Sequence, residues 1–197
     1  LVTNSFSEKV INWYELHGRH DLQWRKAITP YRIWISEIML QQTQVVTVKP
    51  YFKKFIKKYP TLKSIQDASE DEILTLWSGL GFYKRARNIF RTKEIIHSEH
   101  KGRFPKTFEE IIKLPGIGKS TAGAIMSIAY QIPTPILDGN VKRILQRYFS
   151  DSKNIFSEKE LWDLSLSVSN ATNSNLFTQG IMDIGATLCT PQNPECS

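Results

Sequence analysis

Hydrophobic residues recur three or four positions apart along most of this 197-residue chain, and strict alternation is rare. The first spacing places apolar side chains on one face of a helix, whereas alternation indicates a strand. The one strand-like stretch, residues 134–137, is short and contains Pro135. The pattern therefore predicts an all-α fold of about ten helices, over residues 8–17, 31–46, 51–58, 70–78, 86–97, 108–113, 119–130, 140–149, 158–169 and 176–188.

Helix start signals agree with this periodicity. Thr29 precedes Pro30, which is a favourable pair for a capping residue and the first helical position. Ser69, Thr107 and Ser157 are each followed three residues later by a glutamate, the spacing of a capping box. These signals predict helices that begin at residues 30, 70, 108 and 158.

The charge balance favours a polyanionic partner. The chain has 26 Lys and Arg against 19 Asp and Glu, a formal net charge of +7. The basic run at residues 53–58 is typical of a solvated helix face, whereas the run at 83–87 follows a glycine turn and is a candidate contact. The chain has neither an apolar run of membrane-spanning length nor a signal-peptide core, so we expect a soluble, intracellular protein.

Residues 114–121 read LPGIGKST and end like a nucleotide-binding P-loop. A P-loop needs a glycine five residues before Gly118, where this chain has Lys113, and it follows a strand rather than a helix. The stretch instead predicts a helix, a glycine turn and a second helix that starts at Lys119. Such a helix N-terminus binds a phosphate through its free N–H groups, although an ordinary helical corner has the same pattern. The basic charge favours a clamp on a nucleic-acid backbone.

Two carboxylates are predicted to lie in different surroundings. Glu37 is part of a helix that is apolar nearly all round, so burial would raise its pKa and prepare it as a general acid. A position at the helix edge, paired with Arg32 or another cation, is the alternative. Asp138 stands at the entry to a helix, where N–H groups keep it ionised, and capping alone would also explain it. Cleavage of a glycosidic bond uses such a pair.

The chain resembles the catalytic domain of MutY-type adenine DNA glycosylases, which belong to the helix–hairpin–helix superfamily together with endonuclease III. The resemblance is carried in order along nearly the whole chain by residues 34–43 (WISEIMLQQT), 76–81 (LWSGLG), 114–123 (LPGIGKSTAG), 136–141 (ILDGNV) and 182–186 (MDIGA) followed by Cys189.

The resemblance implies an all-α glycosylase fold of two helical subdomains with the active site in the cleft between them. One subdomain would span residues 27–134 and include the helix–hairpin–helix motif at 107–130. The other would combine residues 1–26 with 135–197 and end in a partial iron–sulfur loop at 189–197. We expect the sequence to be a fragment that lacks the C-terminal domain for recognition of 8-oxoguanine.

The implied function is hydrolysis of the N-glycosidic bond of adenine mispaired with 8-oxoguanine or guanine. The protein would act as a monomer on double-stranded DNA, in the cytoplasm or nucleoid if bacterial, and would flip the base out of the helix. Glu37 would protonate N7 of adenine and Asp138 would stabilise the oxocarbenium-like sugar. Asn140 would support the site, and Ser120 stands at the position that separates the two branches of the superfamily.

The resemblance also implies binding residues. The adenine pocket would be lined by Trp24, Arg25, Leu40 and Gln179. Gln42 and the residue after Gly81 would wedge into the base stack. The full set of expected DNA contacts is Gln41, Gln42, Thr43, Gly81, Phe82, Tyr83, Arg85, Leu114, Gly116, Gly118, Lys119 and Thr121. Phe82 and Gln23 depart from the family, which has Tyr and Pro at these positions.

Cys189 and Cys196 have the spacing that opens the family's iron–sulfur loop. A [4Fe–4S] cluster takes four thiolates, and these are the only two cysteines of the chain. The resemblance therefore implies the cluster for the family, while residues 1–197 cannot hold one unaided.

Two alternatives remain open from the sequence. The chain could be an endonuclease III-like glycosylase and abasic-site lyase, or a DNA-binding module without catalysis. The lyase branch carries a lysine at position 120, where its amine attacks the sugar and forms a Schiff base. Serine at this position, with Lys119 on another side of the helix, favours a monofunctional enzyme.

The exchange Ser120→Lys tests this reading. The new amine should form a Schiff base that borohydride traps on abasic DNA, whereas the unchanged protein should trap only weakly. The measurement is the yield of covalent protein–DNA adduct on a denaturing gel. Strong trapping by the unchanged protein would overturn the monofunctional assignment.

Overall fold

The structure is a computed structural model that describes residues 2–150, 155–169 and 173–195. The described residues are helical without strands, which confirms the all-α prediction. The helices are α1 (Val2–His17), α2 (Gln23–Lys26), α3 (Pro30–Leu40), α4 (Val45–Lys58), α5 (Leu62–Ile65), α6 (Glu70–Trp77), α7 (Lys84–Glu99), α8 (Phe108–Ile111), α9 (Lys119–Ala129), α10 (Gly139–Phe149), α11 (Glu158–Ser169) and α12 (Ser174–Thr187).

The described residues contain two helices more than predicted, α2 and α5, and the boundary between α3 and α4 also differs. The sequence pattern predicts one helix over 31–46, but α3 ends at Leu40 and Gln42 has a left-handed backbone with φ +57°. Helix α4 then begins at Val45 and continues through Pro50, where the pattern predicts a break. Apolar spacing alone does not reveal either feature, because the side chains keep the same period across the interruption.

The predicted helix starts are confirmed by their caps. The Thr29 hydroxyl accepts the N–H of Arg32 at 3.2 Å, with Pro30 at the first helical position. Ser69 caps α6 in a full capping box. At α11 the carboxylate of Glu160 accepts the N–H of Ser157 at 2.8 Å. Each bond satisfies an N–H group that has no partner inside its own helix.

The chain divides into two compact units. The central unit, His20–Ile125, contains α2 to α8 and the start of α9. Its core is aromatic and aliphatic: Trp34, Phe52, Phe55 and Trp77 have no exposed surface. Helix α3 packs against α2, α4 and α7, so it is buried along most of its circumference.

The terminal unit combines Leu1–Arg19 with Met126–Ser197. Within it α12 packs against α1, α10 and α11. Gly180 permits the close approach of α1, because a Cβ there would lie 2.9 Å from Cβ of Tyr14. The rings of Phe6, Phe149 and Phe177 form an edge-to-face cluster in this unit.

The boundaries between the units fall at residues 19–20 and 125–126, whereas the sequence resemblance implies boundaries at 26–27 and 134–135. The second boundary lies inside α9, which continues from one unit into the other without interruption. Within the described ranges, no helix combines the length and the apolar character that a bilayer crossing requires.

Glu72 links the cap of α6 to the pH dependence of stability. Its carboxylate accepts the N–H of Ser69 at 3.0 Å and the ammonium of Lys58 at 2.9 Å. These bonds hold the pKa of Glu72 below its usual value, with the Ser69 bond as the larger cause. Because the folded-state pKa is depressed, the stabilisation is present above the unfolded-state pKa and is lost as pH falls through the folded-state pKa.

Glu72→Gln should therefore lower the free energy of unfolding at pH 7, and the difference from the unchanged protein should vanish in acid below that pKa. Urea denaturation at several pH values measures it. Glu109→Gln, at an exposed position of α8, controls for loss of one negative charge. A difference that persists unchanged in acid would contradict the assignment.

Candidate functional site

Glu37 lies in the last turn of α3. It is half-buried, while its neighbours Ser36 and Ile38 are at most 1% exposed. Its carbonyl accepts the N–H of Gln41 at 3.2 Å, the last bond of the helix. The guanidinium of Arg32 donates to the carbonyl of Gln23 at 3.1 Å and lies 5.6 Å from the ring centre of Phe52. The observed contacts of Arg32 are therefore with Gln23 and Phe52, and not with Glu37 as the alternative reading of the sequence has it.

Asp138 is the N-cap of α10, as the sequence predicts. Its Oδ1 atom accepts the N–H groups of Asn140 at 2.9 Å and Val141 at 2.8 Å. Both bonds use the same oxygen, so the cap does not engage Oδ2. The carboxylate lies at the N-terminus of α10, which is the positive end of the helix dipole. A Cβ at the following Gly139 would have no atom within 4 Å, so the backbone beside the carboxylate is open to close approach.

Asn140 is held in place by two contacts. Its Oδ1 atom accepts a bond from Arg143 at 2.8 Å, and the same guanidinium donates to the carbonyls of Gly185 and Cys189, each at 2.6 Å. On the other side, Gly185 of α12 leaves the space that the Asn140 side chain fills. The arginine therefore ties the first turn of α10 to the end of α12.

An open groove of about 760 Å³ lies in the central unit. Its lining brings together five predicted contacts, Gln41, Gln42, Phe82, Tyr83 and Arg85, with Lys84 and Arg87 of the same basic run and with Asn88, which the sequence reading did not select. Phe82 and Tyr83 are 57% and 43% exposed, which is unusual for large aromatic side chains. The groove thus combines two exposed rings with two exposed cations, Lys84 and Arg87.

Two residues that line the groove, Gln42 and Phe82, have a left-handed backbone conformation. Gln42 has φ +57° and Phe82 has φ +49°, and Gly81 beside it has φ +77°. For a residue with a side chain this conformation costs roughly 1–2 kcal/mol. Neighbouring contacts must therefore hold both residues in place.

Arg85, one of the expected DNA contacts, has a buried side chain. Arg85 is 7% exposed, and its guanidinium donates to backbone carbonyls on both sides of the groove. Burial lowers the pKa of this guanidinium from its usual value. Its exposed neighbours Lys84 and Arg87 are the cations of this run that face solvent. The basic pattern alone could not distinguish them, because only packing decides which face of α7 is buried.

The hairpin at residues 112–118 has the form that the sequence predicts. Gly116 has φ +80°, and a Cβ there would meet the Asn88 side chain at 2.6 Å. A Cβ at Gly118 would have no atom within 4 Å, and α9 begins directly after it at Lys119. The Gln41 amide donates to the carbonyl of Gly116 at 3.1 Å, which links the hairpin to the groove.

Besides Arg85, two residues of the predicted contact set are buried, Leu114 at 3% exposure and Thr121 at 8%. Their side chains belong to the core of the hairpin, so only their backbone can meet a ligand. Gly116, Gly118 and Lys119 are exposed, and Ser120 is half-buried. Thr43 is half-buried beside Gln42, and its hydroxyl donates to the carbonyl of Gln41 at 3.4 Å.

The predicted pocket residues fall in both units. Trp24 is 5% exposed and packs edge-on against Phe52, while Arg25 and Leu40 are half-buried, all in the central unit. Gln179 is in the terminal unit and is 3% exposed. Its amide oxygen accepts the Tyr14 hydroxyl at 3.2 Å, and its nitrogen donates to Asn175. These bonds fix the orientation of the Gln179 amide.

Cys189 lies just after α12 and is half-buried. Its sulfur accepts a bond from Arg147 at 3.4 Å, and Arg147 also donates to the carbonyls of Thr190 and Pro191. Cys196 lies outside the described residues. Among those described, no three His, Cys, Asp or Glu side chains gather as a metal site. Two cysteines do not fit the four thiolates of a [4Fe–4S] cluster, so residues 1–197 do not complete that site.

The sequence reading missed Arg143 and Arg147, which hold the segment around Cys189. Arg143 and Arg147 lie four residues apart on α10, which is about one helical turn. That spacing was a usable signal, since it places two cations on one face of the helix. Their partners are backbone carbonyls of a distant segment, which no sequence pattern identifies.

Comparison with known proteins adds a family match. A model described as "HhH-GPD superfamily base excision DNA repair protein" matches residues 35–165. This range includes Glu37, the hairpin and Asp138.

Curated relatives extend the match along the chain. The adenine DNA glycosylase of Buchnera aphidicola subsp. Schizaphis graminum is 52% identical over 197 residues, which cover 98% of this chain and 56% of the relative. The adenine DNA glycosylase of Homo sapiens is 38% identical over 205 residues, which cover 98% of this chain and 37% of the relative. The chain therefore spans about half the length or less of these relatives.

Solved structures share the fold. A thermostable thymine-DNA glycosylase is 29% identical with a TM-score of 0.88, over 98% of this chain and 90% of that one. A trapped endonuclease III–DNA covalent intermediate has a TM-score of 0.81 at 21% identity, over 100% of this chain and 92% of that one. At this lower identity the likeness concerns the fold alone.

The contact between Gly185 and Asn140 predicts a position-specific effect of an added methyl group. In Gly185→Ala the new Cβ would lie 2.5 Å from Cβ of Asn140, so α10 and α12 must move apart. Overpacking of this kind costs about 1–3 kcal/mol, measurable by urea denaturation. Gly139→Ala is the matched control, because a Cβ there meets open space. Equal stability of the two variants would contradict the close packing.

Proposed function

The chain belongs to the HhH-GPD superfamily of base excision DNA repair proteins, and we propose that it removes adenine from DNA by hydrolysis of the N-glycosidic bond. Its substrate would be adenine opposite 8-oxoguanine or guanine in double-stranded DNA, on which it acts as a monomer. The names of the curated relatives support adenine as the base.

The observation that carries the proposal is the placement of the Asp138 carboxylate at the start of α10. Its Oδ1 atom accepts two backbone N–H bonds, and the cap does not engage Oδ2. An anion with one oxygen outside the cap is suited to stabilise a cationic sugar. The open space at Gly139 supports close approach of a nucleotide to this carboxylate.

Glu37 supplies the complementary group in the proposal. It would donate its proton to N7 of adenine, which turns the base into a better leaving group. The glycosidic electron pair then leaves with the base, and the positive charge develops on the sugar at C1′ and the ring oxygen. Asp138 stabilises that charge until a water molecule adds to C1′, and Glu37 accepts the proton of this water.

The groove of the central unit would hold the DNA from which the base is taken. Gln42 and Phe82 stand on its rim, and extrusion of a base leaves a gap that such side chains can fill. Gly118 and the N-terminus of α9 offer backbone N–H groups to a phosphate, with Lys119 beside them. No step of this reaction draws on the iron–sulfur group, for which these residues supply two of four thiolates.

Single-turnover release of adenine from a duplex with adenine opposite 8-oxoguanine tests the function. Glu37→Gln removes the proton donor with little change of shape and should slow release by about 100-fold or more. Release at the full rate by Glu37→Gln would refute the acid role. Binding of the duplex by the unchanged protein without release would instead favour a non-catalytic DNA-binding module.

Asp138→Asn is the second variant of this experiment. Asparagine caps helices about as well as aspartate, so the free energy of unfolding should stay nearly constant while release falls. This outcome separates the charge of Asp138 from its capping role. A loss of release that is matched by an equal loss of stability would assign Asp138 to the fold alone.

A further inference from the structure

Arg85 occupies an unusual position for an arginine in a basic run. It lies in the first turns of α7 and is 7% exposed, while Lys84 and Arg87 on either side of it are exposed. A buried guanidinium needs hydrogen-bond acceptors, because an unpaired buried charge is costly. The acceptors of Arg85 are all backbone carbonyls, and they belong to two separate segments of the central unit.

The first segment is the end of α3. Nη1 of Arg85 donates to the carbonyls of Ile38 at 3.2 Å, Met39 at 2.8 Å and Gln41. The last carbonyls of a helix have no partner inside it, and they carry the negative end of its dipole. The guanidinium therefore caps α3 directly before Gln42.

The second segment is the glycine turn at residues 79–82. Nη2 of Arg85 donates to the carbonyl of Gly81 at 3.2 Å and approaches that of Leu80 at 3.5 Å. The indole N–H of Trp77 donates to the same Gly81 carbonyl at 3.0 Å. The guanidinium also lies 5.1 Å from the ring centre of Phe82, within the range of a cation–π contact.

One side chain thus spans the two loops that present Gln42 and Phe82, each in a left-handed conformation. We propose that Arg85 is a positioning residue that holds these two loops as one preformed unit, so that Gln42 and Phe82 enter the base stack together. Entry into a base stack rests on the proposed function. The clamp, meaning the hydrogen bonds of Arg85 to both loops, is a property of the free protein. Arg85 acts through the loops, because it is 7% exposed and its guanidinium is bonded to backbone carbonyls.

Lys93 offers a matched control on the same helix. It is 4% exposed, its ammonium donates to the carbonyl of Gln66 at 2.8 Å, and it lies 4.6 Å from the ring centre of Phe90. Lys93→Met and Arg85→Met therefore both remove a buried cation with a carbonyl partner and an aromatic neighbour. Only Arg85→Met releases the two loops.

Amide hydrogen exchange of the free protein tests the clamp without DNA. In Arg85→Met, exchange should rise by about tenfold or more at residues 40–44 and 79–83, and Lys93→Met should leave both segments as they are. Equal exchange in Arg85→Met and the unchanged protein would overturn the proposal. So would a uniform rise along the chain in both variants, since that pattern would mean general destabilisation.

Arg85→Lys keeps the test decisive if Arg85→Met does not fold. A single ammonium lacks the planar fork that reaches both segments, so at least one of the two should lose protection. Protection of both segments at the unchanged level would overturn the clamp.

Base extrusion is followed with 2-aminopurine in place of the adenine of a duplex, by stopped-flow fluorescence. Misplacement of the loops should slow the fluorescence rise by about 100-fold in Arg85→Met, while affinity for undamaged duplex stays within about twofold, because phosphate contacts carry that affinity. An unchanged extrusion rate in a variant with released loops would overturn the positioning role. Absence of any fluorescence rise with the unchanged protein would count against the proposed function, and the exchange experiment would still decide the clamp.

Discussion

Backbone groups at helix ends are the constraint on which this structure depends. An α-helix leaves four N–H groups at its start and four carbonyls at its end without internal partners. An all-α chain has such groups at both ends of every helix. Side chains solve it here: Asp138 caps the start of α10, Arg85 caps the end of α3, and Arg143 caps the end of α12. Glu37, Gln42 and Asp138 lie at or beside these same ends.

This coincidence has a physical reason. A helix start concentrates N–H donors and positive potential, and a helix end concentrates carbonyls and negative potential. A carboxylate at a helix start can accept these N–H groups, and a glycine there lets a ligand approach the donors. A group that completes the fold is therefore also suitable for the proposed chemistry, and Asp138, the cap of α10, is the example. The same logic makes Lys119 at the start of α9 a suitable neighbour for a phosphate.

The groove of the central unit stores conformational strain at its rim. Gln42 and Phe82 both adopt left-handed backbone, which side chains rarely do without compensating contacts. The compensation comes from a buried cation that satisfies carbonyls on both sides of the groove. The exposed rings and the exposed cations Lys84 and Arg87 lie around this buried cation.

Much of this protein follows from its sequence alone. Helical periodicity and capping residues determine the all-α fold and most helix starts, because both act over a few neighbouring residues. The glycine hairpin at 114–121 and the cap at Asp138 are local for the same reason. The tertiary structure decided that Arg85 is buried while Lys84 and Arg87 are exposed, that α4 continues through Pro50, and that Arg143 reaches Cys189. These features depend on which face of a helix meets another segment, and residues far apart in the chain settle that choice by packing.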